Sequence, residues 1–293
     1  MPRISRWIFI CVGPSLIEKR SPQVVDAYTA LTQDEVVPAV SSELDEGAEQ
    51  VAAAVAAEVG RLADDAPELH ASMHGPAVEA FMAGASAEIF SLLSMRGSPR
   101  DRFHLLATDC LSGLIRGRAM QMICQYDLNW SRTELIHVPG FQQRDYELFR
   151  SEGVGNLTRL IDRRIKHAPP NAEVIFNATG CNRAVLPLIH LLGILFRAQV
   201  VDLDIRNGIN RIMPSLPVEF SRRWFGNPYF EVLNRAYSER RRITRGQLIQ
   251  KGVSELLPLF EGPDRELRLS PVGRIVLEVI RIRMRRTDWR ERY

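Results

Sequence analysis

The chain lacks the residue patterns that mark several common classes of protein. Its four cysteines, Cys11, Cys110, Cys124 and Cys181, include no Cys-x-x-Cys pair, which argues against a zinc site and against a disulfide framework. We expect them to be small buried side chains. The early apolar run at residues 7–12 is too short to cross a bilayer and has no signal-peptide cleavage pattern. We therefore expect a cytoplasmic protein with no membrane association.

The fingerprints of ordinary nucleotide and metal sites are also missing. No Gly-x-Gly-x-x-Gly occurs, which disfavours a dinucleotide-dependent enzyme, and no Gly-x-x-x-x-Gly-Lys-[Ser/Thr] occurs, which disfavours triphosphate binding. His70 and His74 have the i, i+4 spacing of metal ligands, but no carboxylate motif accompanies them. We expect no metal and no cofactor.

The composition is that of a globular protein with an uneven charge distribution. The 293 residues are 45% hydrophobic and 25% charged, enough for one large domain and one small one. Residues 221–293 hold 17 Lys/Arg against 9 Asp/Glu, a balance of +8, and the rest of the chain has a balance of −5. The basic C-terminal part can meet a polyanion, or it is a solvated face or a dimer contact.

Apolar runs alternate with helical patterns over the first 218 residues. Turn residues end each run, and Asp109 is placed to cap the helix that follows the second one. This alternation predicts βαβ units with right-handed crossovers, that is, an α/β, Rossmann-like parallel sheet flanked by helices over residues 1–218. The predicted strands are 7–12, 102–108, 133–138, 173–178, 198–205 and a short sixth after Asn207-Gly208. The predicted helices are 46–63, 76–93, 109–122, 143–166, which is interrupted near Gly153 and Gly155, and 183–196.

Residues 219–293 form the second predicted domain. Pro214 and Pro217 mark the exit from the sheet. Helices are expected at 227–241 and 244–261, a short strand at 266–270, and a last helix from Pro271, since proline suits the first turn of a helix. This order suits a small winged-helix-like helical module.

Three loops follow predicted strands and carry the candidate site. In an open α/β sheet, ligands bind beyond the carboxyl ends of the strands, near the switch in strand order. After strand four, the stretch "EVIFNATGCNRAVL" carries Thr179 to Arg183 toward a helix N-terminus, where backbone N–H groups favour an anion. After strand one lie Gly13, Pro14 and Ser15.

A hydroxyl, backbone N–H groups and a guanidinium that face one crevice can hold a phosphodiester, but they contain no obvious general base. Thr108 and Asp109 follow strand two, where a helix cap is the alternative role for them. His104, His137 and His190 lie within apolar segments, and we expect core histidines there.

Six segments of the α/β part share residues with one known family. They are "FICVGPSL" (9–16), "AGASAEIFSL" (83–92), "HLLATDCLSG" (104–113), "VPGFQQRDYELFRSEGVGNLTRLI" (138–161), "FNATGCNRAVLPLIHLLG" (176–193) and "MPSLPV" (213–218). In this order they resemble the CRISPR-associated Rossmann-fold (CARF) proteins, and in particular the standalone ring nucleases of type III CRISPR systems.

The resemblance implies a homodimer that binds cyclic oligoadenylate in a pocket across its two-fold axis. Cyclic tetra-adenylate has the matching symmetry. Ring nucleases cut this antiviral second messenger without metal. A ribose 2′-hydroxyl attacks the adjacent phosphate, a lyase-type transesterification that leaves 2′,3′-cyclic phosphate ends. The family's serine corresponds to Ser15 and its lysine falls at Arg183. The implied ligand-binding residues are Gly13, Pro14, Ser15, Thr108, Asp109, Thr179, Gly180, Cys181, Asn182 and Arg183.

Three residues depart from the family pattern. Cys181 replaces a glycine, and Arg183, a planar fork, replaces a lysine. Pro14 replaces a threonine and removes one N–H and one hydroxyl. We expect these changes to affect cleavage more than binding. The residues of the loops do not indicate the size of the ring.

Two other functions are compatible with the same resemblance. The first is a non-cleaving cyclic-oligoadenylate sensor that regulates transcription through a DNA-binding winged helix in the basic C-terminal part. The second is an effector ribonuclease, whose C-terminal HEPN domain carries Arg-x(4–6)-His. No histidine follows His190, and Arg132 and His137, which have this spacing, flank predicted strand three.

Overall fold

The computed structural model describes residues 5–18, 20–33, 43–64, 86–142, 144–181, 185–204, 209–213, 224, 228–238 and 243–285. The chain divides into two compact units. The first unit comprises Met1–Pro139 and Ala168–Leu216, and the second unit comprises Gly140–His167 and Pro217–Tyr293. This division differs from the predicted domains in residues 140–167, which belong with the C-terminal segment.

A six-stranded sheet forms the first unit, with the strand order β3-β2-β1-β4-β5-β6. Strands β1 to β5 are parallel, and β6 is antiparallel to β5. The α/β, Rossmann-like class predicted from the alternation is confirmed. The strands are β1 (Arg6–Cys11), β2 (Arg102–Ala107), β3 (Thr133–His137), β4 (Glu173–Asn177), β5 (Gln199–Asp204) and β6 (Ile209–Met213), with β7 (Phe260–Glu261) and β8 (Arg268–Leu269) in the second unit.

The first two helices, Ser15–Glu18 and Pro22–Thr32, were not predicted, and the others follow the predicted order but differ in extent. They are α1 (Ser15–Glu18), α2 (Pro22–Thr32), α3 (Glu46–Asp64), α4 (Ala87–Ser94), α5 (Leu111–Met122), α6 (Tyr146–Leu148), α7 (Val154–Ile165), α8 (Leu186–Phe196), α9 (Tyr229–Ser238), α10 (Arg245–Gln250) and α11 (Pro271–Arg285). Single π-helical turns at Ile123–Asp127 and Phe149–Gly153 extend α5 and join α6 to α7, and a 3₁₀ helix spans Ser254–Leu259.

The core of the first unit forms where α3 covers one face of the sheet. Ala48, Val51, Ala52, Val55 and Val59 are buried at the spacing of one helix face, as the sequence pattern predicted. They share one cluster with the inward side chains of β1 and β2, and burial of each large apolar side chain contributes about 1.5–3 kcal/mol. This packing holds the strands that carry the loops described below.

The second unit contains a small irregular sheet among helices. β7 and β8 pair antiparallel, and Ile243 bridges Leu267 beside them. The predicted helix 244–261 is wrong in its second half. Gly252 takes a positive φ of 69°, a conformation that favours glycine and stops α10, so the chain continues as the 3₁₀ helix and then as β7.

Two arginines attach residues 140–167 to the C-terminal segment, one at α11 and one at β8. Arg159 on α7 lies 2.7 Å from the buried carboxylate of Glu278, and Arg150 donates to the carbonyl of Leu269 at 3.0 Å. The interruption predicted near Gly153 in the helix 143–166 is confirmed as a π-helical turn, where an ideal Cβ on Gly153 would lie 2.2 Å from the carbonyl oxygen of Gly140. Both partners of each contact belong to the second unit.

Within the ranges given above, no helix is both long enough and apolar enough to cross a membrane. The same ranges contain no group of three or more His, Cys, Asp or Glu placed to hold a metal ion. His70 and His74, the pair with metal-ligand spacing, lie outside the described residues, as does the Asn207-Gly208 turn.

Candidate functional site

The loops after β1 and β4 lie side by side at the carboxyl edge of the sheet. β1 and β4 are hydrogen-bonded neighbours, and the direction of strand order reverses between them, because β2 and β3 follow on one side and β5 on the other. This is the switch point at which open α/β sheets bind ligands. Gly13, Pro14 and Ser15 leave β1 there, and Thr179, Gly180 and Cys181 leave β4.

The two loops approach each other at their glycines. An ideal Cβ on Gly13 would lie 2.4 Å from the carbonyl oxygen of Gly180, and one on Gly180 would lie 2.2 Å from the carbonyl oxygen of Cys11. Neither position has room for a side chain. Both glycines are therefore required by main-chain contact, independently of any ligand.

A buried carboxylate, that of Glu88 on α4, lies between these loops. Its side chain is 1% exposed. Oε1 accepts a hydrogen bond from the backbone N–H of Gly13 at 2.8 Å, and Oε2 accepts a short one from the hydroxyl of Ser15. Since a buried charge without partners is costly, these two donors account for the placement of Glu88 in an apolar helix.

The hydroxyl of Ser15 connects α1 to the first turn of α4. Its oxygen accepts a hydrogen bond from the backbone N–H of Ala87 at 3.2 Å, while its proton is donated to Glu88. Ser86, the N-cap of α4, accepts from the N–H of Ile89 at 3.1 Å and holds that turn in place. Ser15 is half-buried, and these two hydrogen bonds hold its hydroxyl in one position.

A chain of polar side chains fixes α4 against β4 and β6. Asn177, the last residue of β4, donates to the hydroxyl of Ser91 at 3.0 Å, and this hydroxyl donates to Asn210 on β6 at 2.7 Å. Asn210 in turn donates to the carbonyl of Ser91 at 2.8 Å. This network sets the position of α4, and thereby of Glu88, relative to the strand ends.

The strand-four loop uses its own amides internally. The N–H of Thr179 donates to the side chain of Asn177 at 3.1 Å, and the N–H of Cys181 donates to the carbonyl of Ala178 at 2.9 Å. The hydroxyl oxygen of Thr179 accepts from the N–H of Leu203 at 3.1 Å. The N–H of Gly13 is bonded to Glu88. The amides of Gly13, Thr179 and Cys181, which were expected to face an anion, therefore already have acceptors within the chain.

Cys181, in the loop after β4, lies within hydrogen-bonding reach of Cys11 at the end of β1. Burial raises the pKa of the Cys181 thiol well above its ordinary value, and its hydrogen bond with Cys11 and the negative charges of Asp202 and Glu88 raise it further. Cys181 is therefore a neutral thiol at physiological pH. It adds bulk and no charge.

Thr108 and Asp109 follow β2, the neighbour of β1 on the other side. Asp109 does not cap α5, as one reading of the sequence proposed, because Cys110 is the N-cap and makes no side-chain cap bond. The Asp109 carboxylate is buried instead and lies 2.6 Å from Nε2 of His137 at the end of β3. The hydroxyl oxygen of Thr108 would lie 2.0 Å from an ideal Cβ on Gly113, so this glycine makes room for the loop.

The histidines divide into core and edge positions. His104 is buried and stacks on Phe9 with ring centroids 4.7 Å apart, as expected for a core histidine. His137, also expected in the core, is half-buried at the carboxyl edge and pairs with Asp109. His190 on α8 is half-buried.

The described residues bring most of the predicted site to one edge of the sheet. Gly13, Pro14, Ser15, Thr108, Asp109, Thr179, Gly180 and Cys181 all follow the ends of three adjacent strands. Asn182 and Arg183 lie outside the described residues, and α8 begins at Leu186. The roles of all these residues toward a ligand stay predictions.

Sequence reasoning missed Glu88 and the Asp109–His137 pair as functional candidates. Glu88 had a readable signal, because it is the single charged residue of an otherwise apolar or small helix, "AEIFSLLS". Such a residue needs buried partners, but the sequence does not name them. His137 ends a strand, and its partner is set by strand pairing rather than by local spacing.

Comparison with known families gives one match. Residues 83–202, less than half of the chain, match the family model described as CRISPR-associated protein (Cas_APE2256). The matched range includes α4 with Glu88 and the loops after β2 and β4. No curated protein matches the chain. The match supports a CRISPR-associated protein.

Proposed function

We propose that this CRISPR-associated protein is a ring nuclease. On this proposal it is a homodimer that binds cyclic oligoadenylate, in particular cyclic tetra-adenylate, and cuts it by attack of a ribose 2′-hydroxyl on the adjacent phosphate. The family match supports the CRISPR association, and the CARF resemblance of the six segments supports the ligand class.

The observation that carries the proposal is the position of Ser15. Its hydroxyl is held by Glu88 and Ala87 at the switch point, directly beside the strand-four loop that leads to Arg183. A polar, ordered hydroxyl at this point of an α/β sheet is where a sugar or phosphate of a nucleotide ligand is expected. The close packing of Gly13 on Gly180 fixes the position of the two loops relative to each other.

The chemistry requires positioning and charge neutralisation. In-line attack needs the 2′-oxygen, the phosphorus and the 5′-oxygen to be aligned, which a fixed hydrogen-bond partner for the ribose provides. The pentacovalent transition state gains negative charge, and the guanidinium of Arg183 is the group of this chain proposed to stabilise it. Neither task needs a cofactor.

Incubation with cyclic oligoadenylates tests the proposal. Purified protein is mixed with cyclic tri-, tetra- and hexa-adenylate in the presence of EDTA, and the products are separated by chromatography. We expect linear products with 2′,3′-cyclic phosphate ends from one ring, most readily the tetramer. Binding of a ring that stays intact would move the function to sensing, and no binding of any ring would end the proposal.

The second candidate, a cyclic-oligoadenylate sensor that regulates transcription, draws support from the second unit. Its order of α9, a bridged strand at Ile243, α10, a 3₁₀ helix and the β7–β8 hairpin is the order of elements in a winged helix. Some of its described basic residues are paired, however. Arg245 lies 3.5 Å from Asp264 and Lys251 lies 3.4 Å from Glu231.

Salt-dependent binding to duplex DNA distinguishes this candidate. A DNA-binding winged helix binds at low salt and loses affinity steeply as salt rises, because phosphate contacts release counterions. The absence of binding to duplex DNA at low salt would leave the second unit a structural or dimerising role.

A further inference from the structure

The hydrogen bonds of Ser15 define what its hydroxyl can do for a ligand. A serine hydroxyl has one proton and two acceptor positions. The proton is donated to Oε2 of Glu88, and one acceptor position is taken by the N–H of Ala87 at 3.2 Å. One acceptor position is left. A group that binds to Ser15 in this arrangement must therefore donate a proton to it.

This requirement separates the two parts of a nucleotide ligand. A ribose 2′-hydroxyl has a proton to donate, but a phosphodiester oxygen has none. The carboxylate of Glu88 also repels a second anion at short range, and its burial keeps that repulsion from being screened by solvent. We therefore expect the hydroxyl of Ser15 to bind the sugar. The phosphate is expected to bind the cation of the strand-four loop, Arg183.

We propose that Glu88 accepts the proton in the cleavage reaction and that it does so through the hydroxyl of Ser15. Glu88 is thus a positioning residue that acts on the ligand through Ser15. This inference rests on the proposed function. The ribose 2′-hydroxyl gives its proton to the oxygen of Ser15 as the proton of Ser15 passes to Glu88. The 2′-oxygen forms its bond to phosphorus while the bond from phosphorus to the 5′-oxygen breaks. The leaving 5′-oxygen takes a proton from water, and Glu88 returns its proton to solvent, so no net proton is consumed.

The surroundings of Glu88 suit this role. Its other oxygen is fixed by the N–H of Gly13 at 2.8 Å, which leaves Oε2 directed at Ser15. Among the described residues, the thiol of Cys181 lies near Glu88, and Cys11 and Asp202 lie near Cys181. Because burial raises the pKa of Cys181, that thiol does not compete with Glu88 as a base.

The chain offers a matched control for this pair of residues. Glu58 on α3 also accepts one backbone N–H and one serine hydroxyl, both from Ser21, at 2.9 Å for the N–H and at a short distance for the hydroxyl. Ser21 precedes α2 and is not among the loop residues at the carboxyl edge. Glu58→Gln and Ser21→Ala therefore break the same kind of contact away from the proposed chemistry.

The test measures single-turnover cleavage and ring affinity for Glu88→Gln, Ser15→Ala and the double variant, beside the corresponding Glu58 and Ser21 variants. We expect Glu88→Gln to slow cleavage by about 100-fold or more while ring affinity changes by less than about threefold, since general-base catalysis contributes on this scale. The double variant is expected to cleave no more slowly than the slower single variant, since both residues serve one proton transfer. The Glu58 and Ser21 variants are expected to cleave at the wild-type rate.

Several outcomes would overturn the inference. A Glu88→Gln protein that cleaves at the wild-type rate removes Glu88 from the reaction, and rate losses that multiply in the double variant show that the two residues act separately. If Glu88→Gln fails to fold, the solvent isotope effect on cleavage by the wild-type protein still tests the inference. A two-proton relay predicts slower cleavage in D₂O with a curved dependence on deuterium fraction, and a rate indifferent to D₂O contradicts it.

The proposed function fails in a different way. Wild-type protein that cleaves none of the three rings refutes the ring nuclease itself, whatever the variants do. Cleavage by wild-type and Glu88→Gln proteins at equal rates refutes only the role of Glu88.

Discussion

The carbonyl oxygen of Gly180 lies 2.4 Å from the position that a Cβ on Gly13 would occupy, so the loops after β1 and β4 touch through their main chains. This contact joins two segments that are far apart in sequence and holds the crevice at the switch point. It also explains why both positions are glycine without reference to any ligand. Variants that test roles in ligand binding must therefore leave Gly13 and Gly180 unchanged.

Replacement of Gly180 by alanine is expected to destabilise the first unit by about 1–3 kcal/mol, the usual cost of forcing extra atoms into a packed site. The added methyl group would overlap the carbonyl oxygen of Cys11 and the side chain of Glu88. The free energy of unfolding in urea measures the change. The control is Gly47→Ala in α3, where the nearest atom to the new Cβ is 3.6 Å away, and it is expected to stabilise by about 0.5–1 kcal/mol. Equal stability of wild-type and Gly180→Ala proteins would contradict the contact.

Ser15→Ala and Arg183→Ala are each expected to slow cleavage of the ring at least tenfold, which corresponds to about 1.4 kcal/mol of transition-state stabilisation. On the proposed function, Ser15→Ala removes the contact to the ribose, and Arg183→Ala removes the positive charge that stabilises the phosphate. The rate of appearance of linear product measures both. Arg163→Ala, which removes an exposed arginine from α7, is the control and is expected to cleave normally. Unchanged rates in both loop variants would place the chemistry elsewhere.

The pairing of Asp109 with His137 predicts energetic coupling between them. Asp109→Ala and His137→Ala are each expected to cost about 1–3 kcal/mol, because each removes the hydrogen bond between a buried and a half-buried polar group. In a double-mutant cycle the coupling energy is expected to exceed about 0.5 kcal/mol. A helix-capping role for Asp109 predicts instead that the two losses simply add. Thermal and urea unfolding of the four proteins decide between these roles.

Glu58 predicts loss of stability on acidification. Burial raises the pKa of Glu58, but the hydrogen bonds from Ser21 and the charges of Arg20 and Arg61 outweigh burial, so the pKa lies below its usual value. A carboxyl whose pKa is lowered by folding stabilises the fold above its unfolded pKa of about 4.3, and this contribution disappears as the pH falls through the folded pKa. The free energy of unfolding is therefore expected to fall less steeply between about pH 6 and pH 3 in Glu58→Gln than in wild-type protein.

Ser21→Ala supplies the comparison for this pH series, because it removes the hydroxyl that donates to Glu58. It is expected to reduce the dependence on pH in the same direction as Glu58→Gln, because this hydrogen bond lowers the pKa of Glu58. Parallel curves for wild-type and Glu58→Gln proteins would show that the Ser21 contact carries no pH-dependent stability.

Much of the fold was predictable because it depends on local patterns. Apolar runs ended by Gly, Pro or Asn located the strands, and the burial of one face of α3 follows directly from the spacing of its alanines and valines. The alternation of strands and helices then restricted the architecture to a parallel, Rossmann-like sheet. Element ends were less predictable. The stop of α10 depends on the positive φ of Gly252, and the π-helical turn before α7 depends on the contact of Gly153 with Gly140.

The sequence alone determined the fold class, the order of the elements and the arrival of Ser15 and the Thr179–Cys181 loop at strand ends, because each of these depends on residues close together in the chain. Only the tertiary structure decided that Glu88 holds Ser15, that His137 pairs with Asp109 and that residues 140–167 join the C-terminal unit. Those contacts join residues that are far apart in sequence, so no periodic pattern of residues indicates them. They depend on strand order and on the few positions where a buried charge finds its donors.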